Sequence, residues 1–328
     1  MVDGEHPGGA GSAREQPRAR PAEAVTRQGI ALALDVGGTK IAAAEVDVRG
    51  RLRDGARVST PATGVWEACA ALLREVGAGR PVTAVGISCA GPVDAGTRLV
   101  APVNIPEWSV GFPLVAHVAA LLPGARVALE MDGAATALAE HRLGAGAGVA
   151  NLLAVVVSTG IGGGLVVGGE LLTGRTGNAG HIGHTIVHGA ADPCTCGGHG
   201  CLETVASGPS SVRWARAHGW QGTTGVELAR DAAAGDGPAR DALVRAGRAL
   251  GEAFASVAAL ADLDLVVVGG GFAQAGPPLW DAMTTTVTEH AQLSFVRDLR
   301  VVPAALGGDA SLAGAALLTR ETPEPPDP

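Results

Sequence analysis

The sequence predicts an α/β protein built of two similar lobes that face each other across a cleft. Three observations predict it. A short apolar run, Ile30 to Asp35, enters the glycine turn VGGTK and returns through a second apolar run, IAAAEV. The same order recurs from Leu152 to Val157, through STGIGGG, into the returning strand LVV. A third apolar run, Leu265 to Val268, ends in glycines 269 to 271. Such recurrence marks an internal duplication. Glycine turns at the C-terminal ends of strands can converge on one anionic ligand, because their N–H groups cradle anions and the missing Cβ lets a phosphate approach.

The remaining elements fill out this plan. A third strand is expected around Arg51 to Ser59, helical periodicity from Trp66 to Val76, and a strand from Val82 to Ser88. An Ala-rich helix is expected from Pro238 to Ala261. Residues 29–130 are read as an N-terminal lobe, onto which a C-terminal helix at 311–320 packs back. Residues 131–310 are read as the C-terminal lobe, with a metal loop at 184–203. The Pro-, Gly- and Arg-rich segment 1–28 reads as a disordered leader, and 321–328 as a disordered tail.

Composition narrows the function. Of the 328 residues, 47% are apolar, so two lobes can each bury a core. Tyrosine is absent and glycine numbers 50, which leaves Ala, Val and Leu to do most of the packing. The net charge of -8 argues against a nucleic-acid partner, which needs clustered Lys and Arg. No apolar run approaches the roughly 20 residues of a membrane span, and the N-terminus lacks a signal-peptide core. The cytoplasm is the expected location. Cys69 and Cys89 are isolated in apolar surroundings and read as small core residues.

The motifs carry the chemistry. In the first turn, Asp35, Gly37, Gly38, Thr39 and Lys40 put a carboxylate beside two glycines and a hydroxyl. A carboxylate repels phosphate, so this turn makes sense when Mg²⁺ or its water shell lies between. The second turn, with Thr159 and Gly160, has no acid and suits direct phosphate contact. The chain has neither GxxxxGK[ST] nor a GxGxxG opening a helix, which argues against P-loop and Rossmann sites. Asp132 falls where a strand runs into a helix. It can serve there as an N-cap, or as a rigidly held base that takes a proton from a sugar hydroxyl. His184, Cys194, Cys196 and Cys201 match a closed Cys₃His tetrahedron for structural Zn²⁺. An iron–sulfur site is the alternative metal centre, and His181 and His199 are alternative histidine ligands.

In order, DVGGTK, APVNIPEW, STGIGGG, GNAGHIGH, CTCGGHGCLE and VVVGGG resemble the ROK family, over roughly residues 30 to 318. That family comprises sugar kinases and related repressors of the sugar-kinase/Hsp70/actin fold. The resemblance implies ATP, Mg²⁺ and a sugar as ligands, with Asp132 as catalytic base. It implies that Glu203 binds sugar, and that His184 holds zinc through one nitrogen and sugar through the other. It places Asn104 at the sugar, the two glycine turns at the phosphates, and Gly270 and Gly271 on the adenosine side. It also suggests a homodimer. Two positions depart from the family pattern. Met131 replaces the usual Asn beside the base, and His181 replaces the Glu of ROK glucokinases. GHIGH resembles N-acetylmannosamine kinases, so phosphorylation at O6 of N-acetylmannosamine or a related acylated hexose is expected. Glucokinase, a catalytically weak sugar-binding protein and a repressor are the alternatives. The repressors' helix-turn-helix domain does not fit into the 29 residues before the first strand.

Overall fold

Strand β1 (Ile30–Val36) alternates Leu and Ala, and the alternation decides what packs on each face of its sheet. The computed structural model describes residues 29–320; the leader and tail expectations lie outside these residues. β1 pairs antiparallel with β2 (Lys40–Val46), which pairs antiparallel with β3 (Leu52–Ser59). Helix α1 (Val65–Gly77) then leads to β4 (Val82–Cys89), which runs parallel to β1. A small hairpin, β5 (Val93–Asp94) and β6 (Leu99–Val100), and helix α2 (Leu114–Leu121) precede β7 (Arg126–Met131), parallel to β4. The first sheet is ordered β3-β2-β1-β4-β7.

Helix α3 (Asp132–Leu143) carries the chain into the second sheet. There β8 (Leu152–Val157), β9 (Ile161–Val167) and β10 (Glu170–Leu172) form the antiparallel half. Helices α4 (Leu202–Ala206), α5 (Gly208–Ala217), α6 (Gly225–Ala233) and α7 (Gly237–Ala261) follow. Then come β11 (Leu265–Gly269), α8 (Pro277–His290), β12 (Arg300–Pro303) and α9 (Ala310–Leu318). The second sheet is ordered β10-β9-β8-β11-β12, with β11 parallel to both β8 and β12. Strand for strand, this repeats the first sheet's order and directions. The molecule has the two-lobed α/β fold of duplicated sheets.

Small residues explain how the helices reach the sheets. Leu32 and Leu34 join Cys69 and Leu73 of α1 in one buried cluster, while Ala33, Ala42 and Ala44 face Leu312, Ala315 and Ala316 of α9. A Cβ on Gly86 of β4 would lie 1.8 Å from the Ala315 carbonyl oxygen, and one on Gly314 would lie 1.9 Å from that of Ala135. Only glycine permits these crossings. Glu107 of the PEW segment accepts from the N–H groups of Gly64 and Val65, so its carboxylate stands in for the missing side-chain cap of α1. Cys69 and Cys89 are fully buried, and burial pushes the Cys69 thiol up to about 12. Among the described residues no helix is long and apolar enough to cross a membrane.

Candidate active site and metal centre

Parallel register sets the floor of the cleft. Asp35 lies opposite Ser88 in the β1–β4 pair, and the Ser88 hydroxyl donates to its carboxylate at 2.8 Å. Asp35 is buried, and burial raises its carboxyl above the ordinary value, opposed by Ser88, Ser311 and the Lys40 charge. The turn that follows closes through the Gly37 N–H and the Lys40 carbonyl at 3.0 Å. Gly38 presses on Asn104: an added Cβ would come 2.5 Å from its side chain. Thr39 is exposed. Lys40 bonds the Gly308 carbonyl at 2.6 Å and lies 4.0 Å from Asp309, so its ammonium engages the turn before α9.

Met131, not Asp132, occupies the N-cap position of α3, and Asp132 is the first helical residue. The capping alternative is thereby corrected: the Asp132 carboxylate accepts from the adjacent Gly133 N–H at 2.7 Å. The residue is half-buried. Burial, then the Asp35 charge, push its carboxyl up to about 7, against the lowering effect of the Gly133 bond.

The second turn closes through the Ser158 N–H and the Gly160 carbonyl at 2.9 Å, with Thr159 exposed at its tip. Its later glycines do different work from the phosphate contact expected of the whole motif. Gly162, Gly163 and Gly164 belong to β9. A Cβ on Gly133 would lie 2.2 Å from the Gly163 carbonyl oxygen, and one on Gly164 would lie 2.5 Å from that of Gly133. These glycines let α3 rest on the strand, and they bring the Asp132 carboxylate to 3.9 Å from where a Gly162 Cβ would stand. Gly270 backs the turn: it has φ +96°, and a Cβ there would lie 2.3 Å from the Val157 carbonyl oxygen. Gly271 lies beside Ser158.

The segment from Thr173 to His184 bridges the lobes. Asn178 accepts from the Val93 N–H at 2.9 Å and donates to the Val93 carbonyl at 2.5 Å, clamping the loop to the β5–β6 hairpin. Its carbonyl pairs with His181 Nδ1 at 3.1 Å. A Cβ on Gly91 would meet both the His181 ring and the Met131 sulfur at 3.0 Å. The two departures from the family pattern thus meet at one glycine. Met131 is 2% exposed, so the side chain is packed in the core. Burial lowers the His181 pKa below its ordinary value. On the other side, Glu203 accepts from the Ile161 N–H at 2.8 Å, and its carboxylate lies 2.6 Å from a Cβ placed on Gly160. Sequence reasoning missed Ser88 and Gly91. Ser88 sits in the same strand-end position as Asp35, and that placement was the available signal.

The ligand atoms of His184, Cys194, Cys196 and Cys201 all lie within 4.8 Å of one another. Cys194 Sγ is 3.8 Å from His184 Nδ1, and Cys196 Sγ is 3.7 Å from Cys201 Sγ. Tetrahedral Zn–S bonds of about 2.3 Å require edges of about 3.8 Å, so the cluster fits zinc. Positive-φ glycines at 197 and 200 fold the loop around it. His181 and His199 are not in this cluster. Cys201 is the N-cap of α4, whose second residue is Glu203. The metal loop and the glycine turn are therefore neighbours through one short helix.

The sequence profile of the ROK family matches residues 31–322. The chain belongs to the ROK family. This ROK-family chain is 36% identical over 300 residues to the kanosamine kinase of Amycolatopsis mediterranei, covering 88% of the chain and 95% of that protein. It is 35% identical over 293 residues to an N-acetylmannosamine kinase of Escherichia fergusonii, covering 88% and 98%. The crystal structure of a ROK family glucokinase from Streptomyces griseus in complex with glucose and AMPPNP superposes with a TM-score of 0.77 at 34% identity, covering 90% of this chain and all of that one.

Proposed function

We propose that this ROK-family sugar kinase transfers the γ-phosphoryl group of ATP to O6 of an N-acylated hexose, with Asp132 as the general base. One observation carries the reading: a carboxyl raised to about 7 is fixed at the first turn of α3, near enough to Asp35 of the first sheet to feel its charge and 3.9 Å from where a Gly162 Cβ would stand in the second sheet. A base is most useful when its pKa lies near the working pH. When bound, Mg²⁺ near Asp35 would neutralise phosphate charge, which is the chemistry phosphoryl transfer most needs. The turns at Gly37–Thr39 and Thr159–Gly160 would cradle the phosphates, and Gly270 and Gly271 would line the adenosine side. Asp132 would take the proton of the attacking hydroxyl. Residues 29–130 with α9, and 131–310, act in this reading as lobes that close and expel water. His184, Cys194, Cys196 and Cys201 would hold a structural Zn²⁺.

The sugar assignment rests on His181. Glutamate in its place would accept two hydroxyl protons, whereas a neutral imidazole offers one donor and one acceptor. With Nδ1 turned to the Asn178 carbonyl, Nε2 is the nitrogen left to face the sugar. A site with fewer acceptors discriminates against part of glucose's hydroxyl pattern. The buried Met131 contributes packing behind His181 in place of an amide to the sugar. The relative named for N-acetylmannosamine agrees with this lean. A coupled ADP-release assay over glucose, mannose, N-acetylmannosamine and N-acetylglucosamine tests it. N-acetylmannosamine is expected to exceed glucose in kcat/KM, and His181→Glu is expected to shift preference towards glucose. A wild type that prefers glucose tenfold, with no shift in His181→Glu, would make the chain a glucokinase.

A further inference from the structure

The chain passes between its two sheets twice: at Met131–Asp132, from β7 into α3, and at residues 304–309, from β12 back to α9. One side chain ties the two passages together. Glu140, in α3, is completely buried. One carboxylate oxygen accepts from the Ala145 N–H at 2.8 Å and the Ala305 N–H at 3.2 Å; the other accepts from the Leu306 N–H at 2.9 Å. No ion pair to Glu140 occurs among the described residues, and the burial is met by backbone donors. The loop after α3 is shaped around this group. A Cβ on Gly144 would lie 2.1 Å from the Glu140 carboxylate, so glycine is required there.

What Glu140 holds is the frame of the cleft. The segment it grips begins at Ala304, whose N–H bonds the Val268 carbonyl and whose Cβ packs on Gly269, at the third glycine turn. It continues to Gly308, which accepts from Lys40 of the first turn, and to Ser311, which bonds Asp35. At its other end, α3 begins with Asp132, eight residues and about 12 Å of helix away. Base, first turn and third turn are thus referred to one buried carboxylate.

We propose that Glu140 is a positioning residue for phosphoryl transfer, pinning the second passage to α3 so that Asp132 and the Asp35 turn keep their spacing as the lobes close. The pin acts on geometry, so its loss lowers kcat more than it raises either KM. This rests on the kinase reading, and wild-type transfer is therefore measured first. In Glu140→Gln an amide NH₂ faces backbone N–H groups in place of an acceptor oxygen. A folded variant of normal zinc content is expected to lose at least about tenfold in kcat, with both KM values within about threefold, as misplacement predicts. A kcat within about twofold of wild type, or raised KM values with kcat retained, would overturn the proposal.

Amide exchange in the wild type decides the matter if the variant does not fold. The Ala305 and Leu306 amides are expected to exchange at least about a hundredfold more slowly than unstructured ones, and to stay protected when sugar and a non-hydrolysable ATP analogue are added. Unprotected amides, or protection lost on ligand binding, would remove the pin. A wild type with no transfer activity counts against the kinase reading alone, and the exchange measurement still judges Glu140.

Discussion

Asp132 is held by burial and by the Asp35 charge in a state that favours its proton. The stability consequence has a definite sign. Between the ordinary carboxylate range near 4 and the raised value of about 7, the folded chain binds this proton more tightly than the unfolded chain does. Stability from this group therefore falls as pH rises through that window. Asp132→Asn removes the penalty and is expected to raise Tm by about 2–4 °C at pH 8, with the gain vanishing towards pH 4. Activity has the opposite dependence, because the base must be unprotonated. A plot of log kcat/KM against pH should fall below about 7 with a slope approaching one. A profile flat down to pH 5 would take Asp132 out of proton transfer. At this scale the sequence was legible in the gathering of the Cys₃His set, whose residue chemistry is distinctive, and in the position of Asp132 where β7 runs into α3. Ser88 and Glu140 were not legible, because Asp35 lies 53 residues from Ser88, and two of the three donors to Glu140, the Ala305 and Leu306 amides, lie 165 and 166 residues from it.

Among the elements, the Cys/His loop proposed to hold zinc and helix α4 form one lever. Cys201 caps the helix and Glu203 on its first turn holds the Ile161 N–H of the second glycine turn. Removing a zinc ligand should therefore disturb sugar and ATP binding together. Cys196→Ser is expected to lower bound zinc below about 0.2 equivalents, to lower Tm, and to raise KM for both substrates. Metal analysis alongside kinetics checks this, and full activity in zinc-free protein would break the link. The glycine motifs show why element boundaries were only partly legible. In STGIGGG every glycine looks equally suited to a phosphate, yet three of them are strand residues, and the missing Cβ of Gly164 lets α3 sit on β9. Sequence alone does not separate a glycine needed for a ligand from one needed for another backbone. Strands with continuous apolar runs, such as Leu152–Val157, were legible because burial on both faces demands that pattern.

For the whole molecule, the duplication was legible in the repeated order of strand, glycine turn and returning strand. The identical five-strand order of the two sheets gives it a topological form. In the proposed mechanism the cleft draws its base from the start of α3 and its phosphate-cradling turns from both sheets, so neither lobe alone would hold a complete site. Chemistry then requires all of these parts at once, and removing the base should leave a folded, ligand-binding but nearly inert protein. Sugar-dependent ADP release by wild type and Asp132→Asn, each with saturating ATP and N-acetylmannosamine, tests this most directly. Steady turnover by the wild type is expected, with a loss of about 10²–10⁴ in the variant and its fold intact. Equal turnover by the two proteins, or no sugar-dependent ADP release by the wild type, would contradict it.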